Sequence, residues 1–180
     1  SQVANIHDVM VEAFARIDAR MAGGEGTGVP TGFTDLDKMT GGVHRSELII
    51  LAARPSMGKT ALATNIAEHI AIHENVPTLF VSLEMARVEL AQRILCSQGR
   101  IDAGKFRSGF LSGAEREQLV RVSNQLSQTP LFIDDSSTRT VTEIGAAARR
   151  LKRRNGLGFM VIDYLQLINP DDPRDPRQEQ

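Results

Sequence analysis

The chain has 180 residues, 41% apolar and 24% charged, enough to bury the core of one globular domain. A net charge of −1 gives no overall attraction to a polyanion, and with no Trp and only 4% aromatic residues a base-stacking platform is disfavoured. The single cysteine, Cys96, excludes a disulfide within the chain and suits a reducing, cytoplasmic setting; nothing near the N-terminus reads as an export signal, and no apolar run is long enough to span a bilayer.

Residues 3–21 place apolar side chains at Val3, Ile6, Met10, Ala13, Phe14, Ile17 and Met21, the spacing of a helix with one narrow apolar seam. "AGGEGTGVP" follows as a flexible linker ending at Pro30, giving a linker helix over 1–22, a linker over 23–30 and a main domain over 31–180. Such a seam must be covered either by its own domain or by a neighbouring subunit, and the pattern does not choose between them.

Beyond the linker, strand-like and helix-like runs alternate. "ELIILAA" (47–53) reads as a strand buried on both faces, followed by a helix over 59–73. A second strand is predicted over 78–83 and a helix over 86–97, on which Cys96 is a small core residue. Ser112 with Glu115 and Thr140 with Glu143 form capping boxes that open helices to 127 and 154, the latter closed by "NG". "PLFIDD" and "GFMVIDYLQL" supply a third and a fourth strand, and the Pro-rich tail "NPDDPRDPRQEQ" reads as a surface loop. Alternation of this kind predicts an α/β fold with a parallel sheet flanked by helices. A fourth strand aimed at a ligand is normally followed by more, so the chain is expected to be part of a larger domain. The basic run Arg149, Arg150, Lys152, Arg153 and Arg154 ends a helix, where positive charge complements the macrodipole.

"ARPSMGKT" (53–60) lies between the first strand and the first helix of this region, where a phosphate-binding loop belongs. Gly58 allows backbone to approach phosphate, Lys59 reaches the outer phosphates, and the Thr60 hydroxyl suits Mg²⁺. The usual first glycine is Ala53, at the strand exit rather than at the phosphates, and Pro55 stiffens the loop. Chance alone would place such a match in roughly one chain in a hundred of this size, before the strand and helix context is required. Hydrolysis further needs a carboxylate near the metal and another to activate water. Asp134 and Asp135 end one strand and Asp163 another, and pattern alone leaves them unranked. Glu84 in "SLEM" is the best placed water-activating base, and Gln166 in "DYLQL" either senses a γ-phosphate or packs as a polar residue.

Together, "GVPTGFTDLDKMTGG", "LIILAARPSMGKTALATNIA", "FVSLEM", "PLFIDD" with "TVTEIGAAARRL", and "VIDYLQL" resemble the C-terminal motor domain of the bacterial replicative DNA helicases, the DnaB family. The likeness runs from Val29 to Ile168 in the family's order. It implies a RecA-like P-loop NTPase core, an ATP- and Mg²⁺-dependent 5′-to-3′ DNA helicase, and a hexameric ring around single-stranded DNA with primase and a helicase loader as partners. It implies nucleotide contacts from Ala53, Arg54, Pro55, Ser56, Met57, Gly58, Lys59, Thr60 and Ala61, metal binding by Thr60 and by Asp163 through water, and Glu84 as catalytic base beside Lys59. Asp134 and Asp135 fall to a lesser role, and the helix within 3–21 would dock on the adjacent subunit. Other RecA-like ATPases, or a module in which nucleotide orders an assembly without hydrolysis, are the competing readings. "VHRSEL" stands where the family has a Gly turn, and the family's later DNA-gripping loops and trans arginine would lie beyond Gln180, so the chain alone is expected to bind nucleotide weakly and not to unwind DNA.

Overall fold

A computed structural model of the chain describes residues 5–21, 28–136 and 140–170, which fall in two units, Ser1–Ile49 and Ile50–Gln180. Residues 1–4 and 22 of the predicted linker helix, Val3 of its seam among them, residues 23–27 of the predicted linker and residues 171–180 of the predicted tail loop lie outside the described residues.

In the first unit, helix α1 spans Ile6–Met21 and opens where the Asn5 side chain accepts the His7 N–H at 2.9 Å. The helix carries the predicted seam, and Ile6, Met10, Phe14 and Ile17 are all exposed, Phe14 to 59%. A short helix not foreseen from the sequence, α2 (Thr34–Thr40), is held by the buried Thr31, whose N–H and hydroxyl both donate to Asp37 Oδ1 at 2.9 and 2.7 Å. Val29 pairs with Val43 in an antiparallel bridge, so residues 28–30 of the predicted linker are tied into this unit.

The second unit is a parallel sheet covered on both faces. Helix α3 (Lys59–Ile72) precedes strand β1 (Thr78–Ser82); α4 (Arg87–Gly99), α5 (Ala103–Ser108) and α6 (Gly113–Leu126) lead to β2 (Leu131–Asp134), and α7 (Val141–Asn155) leads to β3 (Phe159–Asp163). The order is β2-β1-β3, with Thr78 level with Leu131 on one side and Phe159 on the other. Being central, β1 is buried along its whole length, and its side chains alternate between two cores. Phe80 points to Ala67, Leu90 and Ile94 of α3 and α4; Leu79, Val81 and Leu83 point to Ile144 of α7. Each large apolar side chain buried this way contributes about 1.5–3 kcal/mol.

Polar ties fix the helices to this sheet. Glu68 of α3, buried, accepts from Ser97 at 3.2 Å and Gln98 at 2.7 Å of α4, and burial pushes its carboxyl above the ordinary range. The Arg87 N–H that opens α4 donates to Asp135 Oδ2 at 2.9 Å. Both predicted capping boxes form, at Ser112 with Glu115 and at Thr140 with Glu143, and α7 ends at Gly156 in the left-handed conformation. Cys96 is buried in α4, and the arginines and lysine ending α7 are exposed.

One predicted strand is not there. Residues 47–53 enter no strand pairing among the described residues, and Leu48 and Ile50 are 83% and 70% exposed. An apolar run states a need for burial without supplying a partner, and a strand exists only once a neighbour accepts its hydrogen bonds. The predicted fourth strand ends at Asp163, after which Leu165–Leu167 forms a 3₁₀ turn. Helix α5 also escaped the sequence reading, although Asp102 caps it by accepting the Lys105 N–H at 2.9 Å and Gly109 closes it.

The capping box at α6 has a pH signature. Glu115 is drawn from its ordinary 4.5 to about 2, first by the Ser112 N–H, then by the Ser112 and Lys105 side chains. A folded-state pKa below the unfolded one gives stability that is complete above the ordinary value and lost as pH falls toward 2. Glu115→Gln is therefore expected to flatten the acid limb of the melting temperature between pH 4.5 and about 2. An unchanged acid limb in thermal melts across that window would sink the assignment.

Candidate functional site

Parallel strands whose order reverses at one strand leave a crevice at their carboxyl ends, and the chain here leaves β1 first for β2 and then for β3 on the other side. At these carboxyl ends Ser82 of β1 is level with Asp163 of β3. The Leu83 N–H donates to the Asp163 carbonyl at 2.9 Å, fastening the two exits together.

Helix α3 starts at this crevice. Gly58 is its N-cap with φ +87°, a conformation that costs any L-residue, and no side chain caps the helix. Among the described residues the N–H groups of Lys59, Thr60 and Ala61 have no acceptor, so the first turn presents free donors and the positive end of the dipole. A Cβ at Gly58 would meet no protein atom within 4 Å, so within the protein itself the glycine is required for its backbone angle and not for room. The preceding residues 53–57 form an exposed turn closed by the Met57 N–H on the Arg54 carbonyl at 3.3 Å, with Ser56 also at positive φ.

The start of α3 and the end of β3 meet through one carboxylate. Asp163, 4% exposed, accepts the Thr60 hydroxyl on Oδ2 at 2.6 Å, and Lys59 Nζ lies 3.6 Å from Oδ1. The same ammonium sits 3.9 Å from the centroid of the Tyr164 ring. A buried carboxylate is tolerated when paired and hydrogen-bonded, and here the two residues beside the glycine do both.

The other predicted site residues are not in this cluster. Glu84 lies two residues beyond β1 at the same end of the sheet, exposed and without a hydrogen bond or ion pair among the described residues. Its turn is organised by Ser82, whose hydroxyl donates to the Met85 carbonyl at 2.7 Å. Gln166 is exposed in the 3₁₀ turn after β3. Asp134 accepts the Ser136 N–H at 3.1 Å, and Asp135 holds the start of α4 through Arg87, so both serve local structure. Tyr164 was missed in the sequence; its adjacency to Asp163 is the only signal that could have exposed it.

The residues present suit a phosphate chain with a divalent cation. Free helix-start donors and Lys59 match phosphate oxygens, and Thr60 with a single buried carboxylate matches Mg²⁺, which usually takes one or two protein oxygens and fills its shell with phosphate and water. Consistent with that, no group of three or more His, Cys, Asp or Glu side chains able to enclose a metal occurs among the described residues.

Residues 28–180 match the family described as DnaB-like helicase C terminal domain. The replicative DNA helicase DnaB of Geobacillus stearothermophilus is 47% identical over 165 residues, covering 91% of this chain and 36% of that protein. The replicative DNA helicase DnaC of Bacillus subtilis is 43% identical over 182 residues, covering 100% of this chain and 40% of that protein. The chain thus spans well under half the length of these curated relatives. A solved DnaB-like replicative helicase, described with its interactions with primase, superposes with a TM-score of 0.87 at 33% identity, covering 98% of this chain and 42% of that one. A solved ATPase domain gives a TM-score of 0.86 at 35% identity, covering 98% and 62%. The fold is RecA-like.

Because the demand on Gly58 is conformational, Gly58→Ala is expected to cost about 1–2 kcal/mol. Gly113→Ala, at an ordinary helical position, is expected to be neutral or slightly stabilising. Denaturant unfolding of the two variants compares them, and equal stabilities would refute the strain argument.

Proposed function

We propose a motor role from one premise: the chain belongs to the DnaB-like helicase C-terminal domain family. On this reading it is the motor domain of a replicative DNA helicase, acting in the cytoplasm. Binding and hydrolysis of ATP drive 5′-to-3′ translocation on single-stranded DNA and duplex unwinding during replication. The observation that carries the reading is the convergence of Lys59, Thr60 and Asp163, from opposite ends of the second unit, at an uncapped helix start.

Each residue then has a task. The backbone of 53–61 wraps the phosphates, and Lys59 neutralises charge on the outer ones as transfer proceeds. Thr60 and Asp163 would hold Mg²⁺, which would supply further charge neutralisation at the phosphate oxygens. Glu84, exposed just beyond β1 and without a hydrogen bond or ion pair among the described residues, takes the proton of the attacking water. Gln166, in the turn leaving β3, contacts the terminal phosphate.

Residues 1–22 act as a linker helix, 23–30 as a linker and 31–180 as the motor domain. The exposed apolar seam of α1, with Met10, Val11, Phe14 and Ile17 on it, docks on the adjacent subunit of a homohexameric ring. Primase and a helicase loader are the further partners.

ATPase assays with and without single-stranded DNA, on the intact protein, test the chemistry. Lys59→Ala is expected to reduce turnover by roughly a hundredfold or more. Glu84→Gln is expected to keep nucleotide binding within a few fold while slowing hydrolysis by about 10²–10⁴. A Glu84→Gln protein turning over at the wild-type rate would remove the base assignment, and an ATPase indifferent to DNA would favour an assembly module. For the ring, removal of residues 1–22 should shift concentration-dependent sedimentation toward smaller species, and identical self-association would refute docking by α1.

A further inference from the structure

We propose that Tyr164 is a positioning residue for Lys59, its ring holding the ammonium in the place from which it meets a phosphate. The inference rests on the reading of Lys59 as the phosphate-binding cation. A lysine is a point charge on four rotatable carbons, and an unrestrained one must be ordered when its ligand arrives. At 3.6 Å, Asp163 Oδ1 is too far for a charge-assisted hydrogen bond, and the other carboxylate oxygen is taken by Thr60. The carboxylate thus attracts the ammonium without fixing its direction. The second restraint comes from the Tyr164 ring, 3.9 Å from Nζ to the centroid, well within the range at which an aromatic face holds a cation.

The anchoring of the two partners differs in a useful way. Tyr164 follows directly on β3, and its carbonyl accepts the Leu167 N–H at 3.1 Å, so the ring stands on the sheet and its 3₁₀ turn. Lys59 stands on the first residue of α3, with its side chain 27% exposed. The ring therefore references the lysine ammonium to the same strand end that carries Asp163. Attraction to a ring face engages one side of the ammonium and leaves N–H donors for phosphate oxygens. The Tyr164 hydroxyl has no partner among the described residues, so the ring and not the oxygen makes the contact.

The test measures the dissociation constant of a fluorescent nucleoside diphosphate for the intact protein, with unfolding midpoints alongside. Tyr164→Phe is expected to bind within about twofold of wild type, whereas Tyr164→Leu weakens binding by about three- to tenfold. Trifluorophenylalanine at position 164 keeps the shape while draining the ring's negative face, and should reproduce that loss with an unchanged unfolding midpoint. In a Lys59→Ala background Tyr164→Leu should have no further effect, since the ring acts through the lysine. Equal losses for Phe and Leu, wild-type binding by the trifluoro variant, or a loss that persists without Lys59 would each overturn the proposal. If Lys59→Ala binds as wild type, the phosphate-binding reading itself fails; if only the Tyr164 variants are silent, the positioning role fails and that reading stands.

Discussion

A carboxylate buried to the extent of Asp163 is costly unless charge and hydrogen bonds reach it, and both arrive from the first two residues of α3. That requirement couples the start of the helix to the end of β3, although 103 residues separate Thr60 from Asp163 in the chain. The same residue's carbonyl receives the Leu83 N–H from the exit of β1. Three segments thus converge on one aspartate, and displacing any of them would strand a buried polar group. The free amides at the start of α3 inherit their orientation from this knot.

What allows the knot is the position of β1. Flanked by β2 and β3 and covered on both faces, it forms the buried centre of the sheet, and its two alternating side-chain sets serve both cores. The reversal of strand order at β1 opens the crevice without any loop having to create it. Polar ties then act as spacers between elements. Glu68 joins α3 to α4, and Asp135 receives the start of α4 beside β2, so the turn carrying Glu84 is bounded on both sides by fixed structure.

Local chemistry was legible wherever its partner is also local. The boxes of Ser112 with Glu115 and Thr140 with Glu143 join residues three positions apart, and both are present as read. Strands β1, β2 and β3 are apolar runs bounded by turn residues, and each forms, with β3 ending at Asp163 rather than running on. The run 47–53 carries the same apolar signal and forms no ladder among the described residues, because strand pairing is a property of two segments and its composition describes one. Helices α2 and α5 are too short for periodicity to register, although Asp102 and Gly109 mark the ends of α5.

At the site the division is the same. The spacing of Gly58, Lys59 and Thr60 at the mouth of a helix is a local matter, and the sequence by itself determined it, down to the glycine whose positive φ no other residue adopts cheaply. Residue pattern left Asp134, Asp135 and Asp163 equal, since all three end apolar strands. The family resemblance points to Asp163, and the physical separation comes from the tertiary structure: it lays β3 against β1 with Asp163 facing the start of α3, sends Asp135 to the backbone of α4, and brings the Tyr164 ring to Lys59. Those contacts depend on sheet order and on where each strand stops, which are settled by burial across the whole unit and by no single stretch of chain.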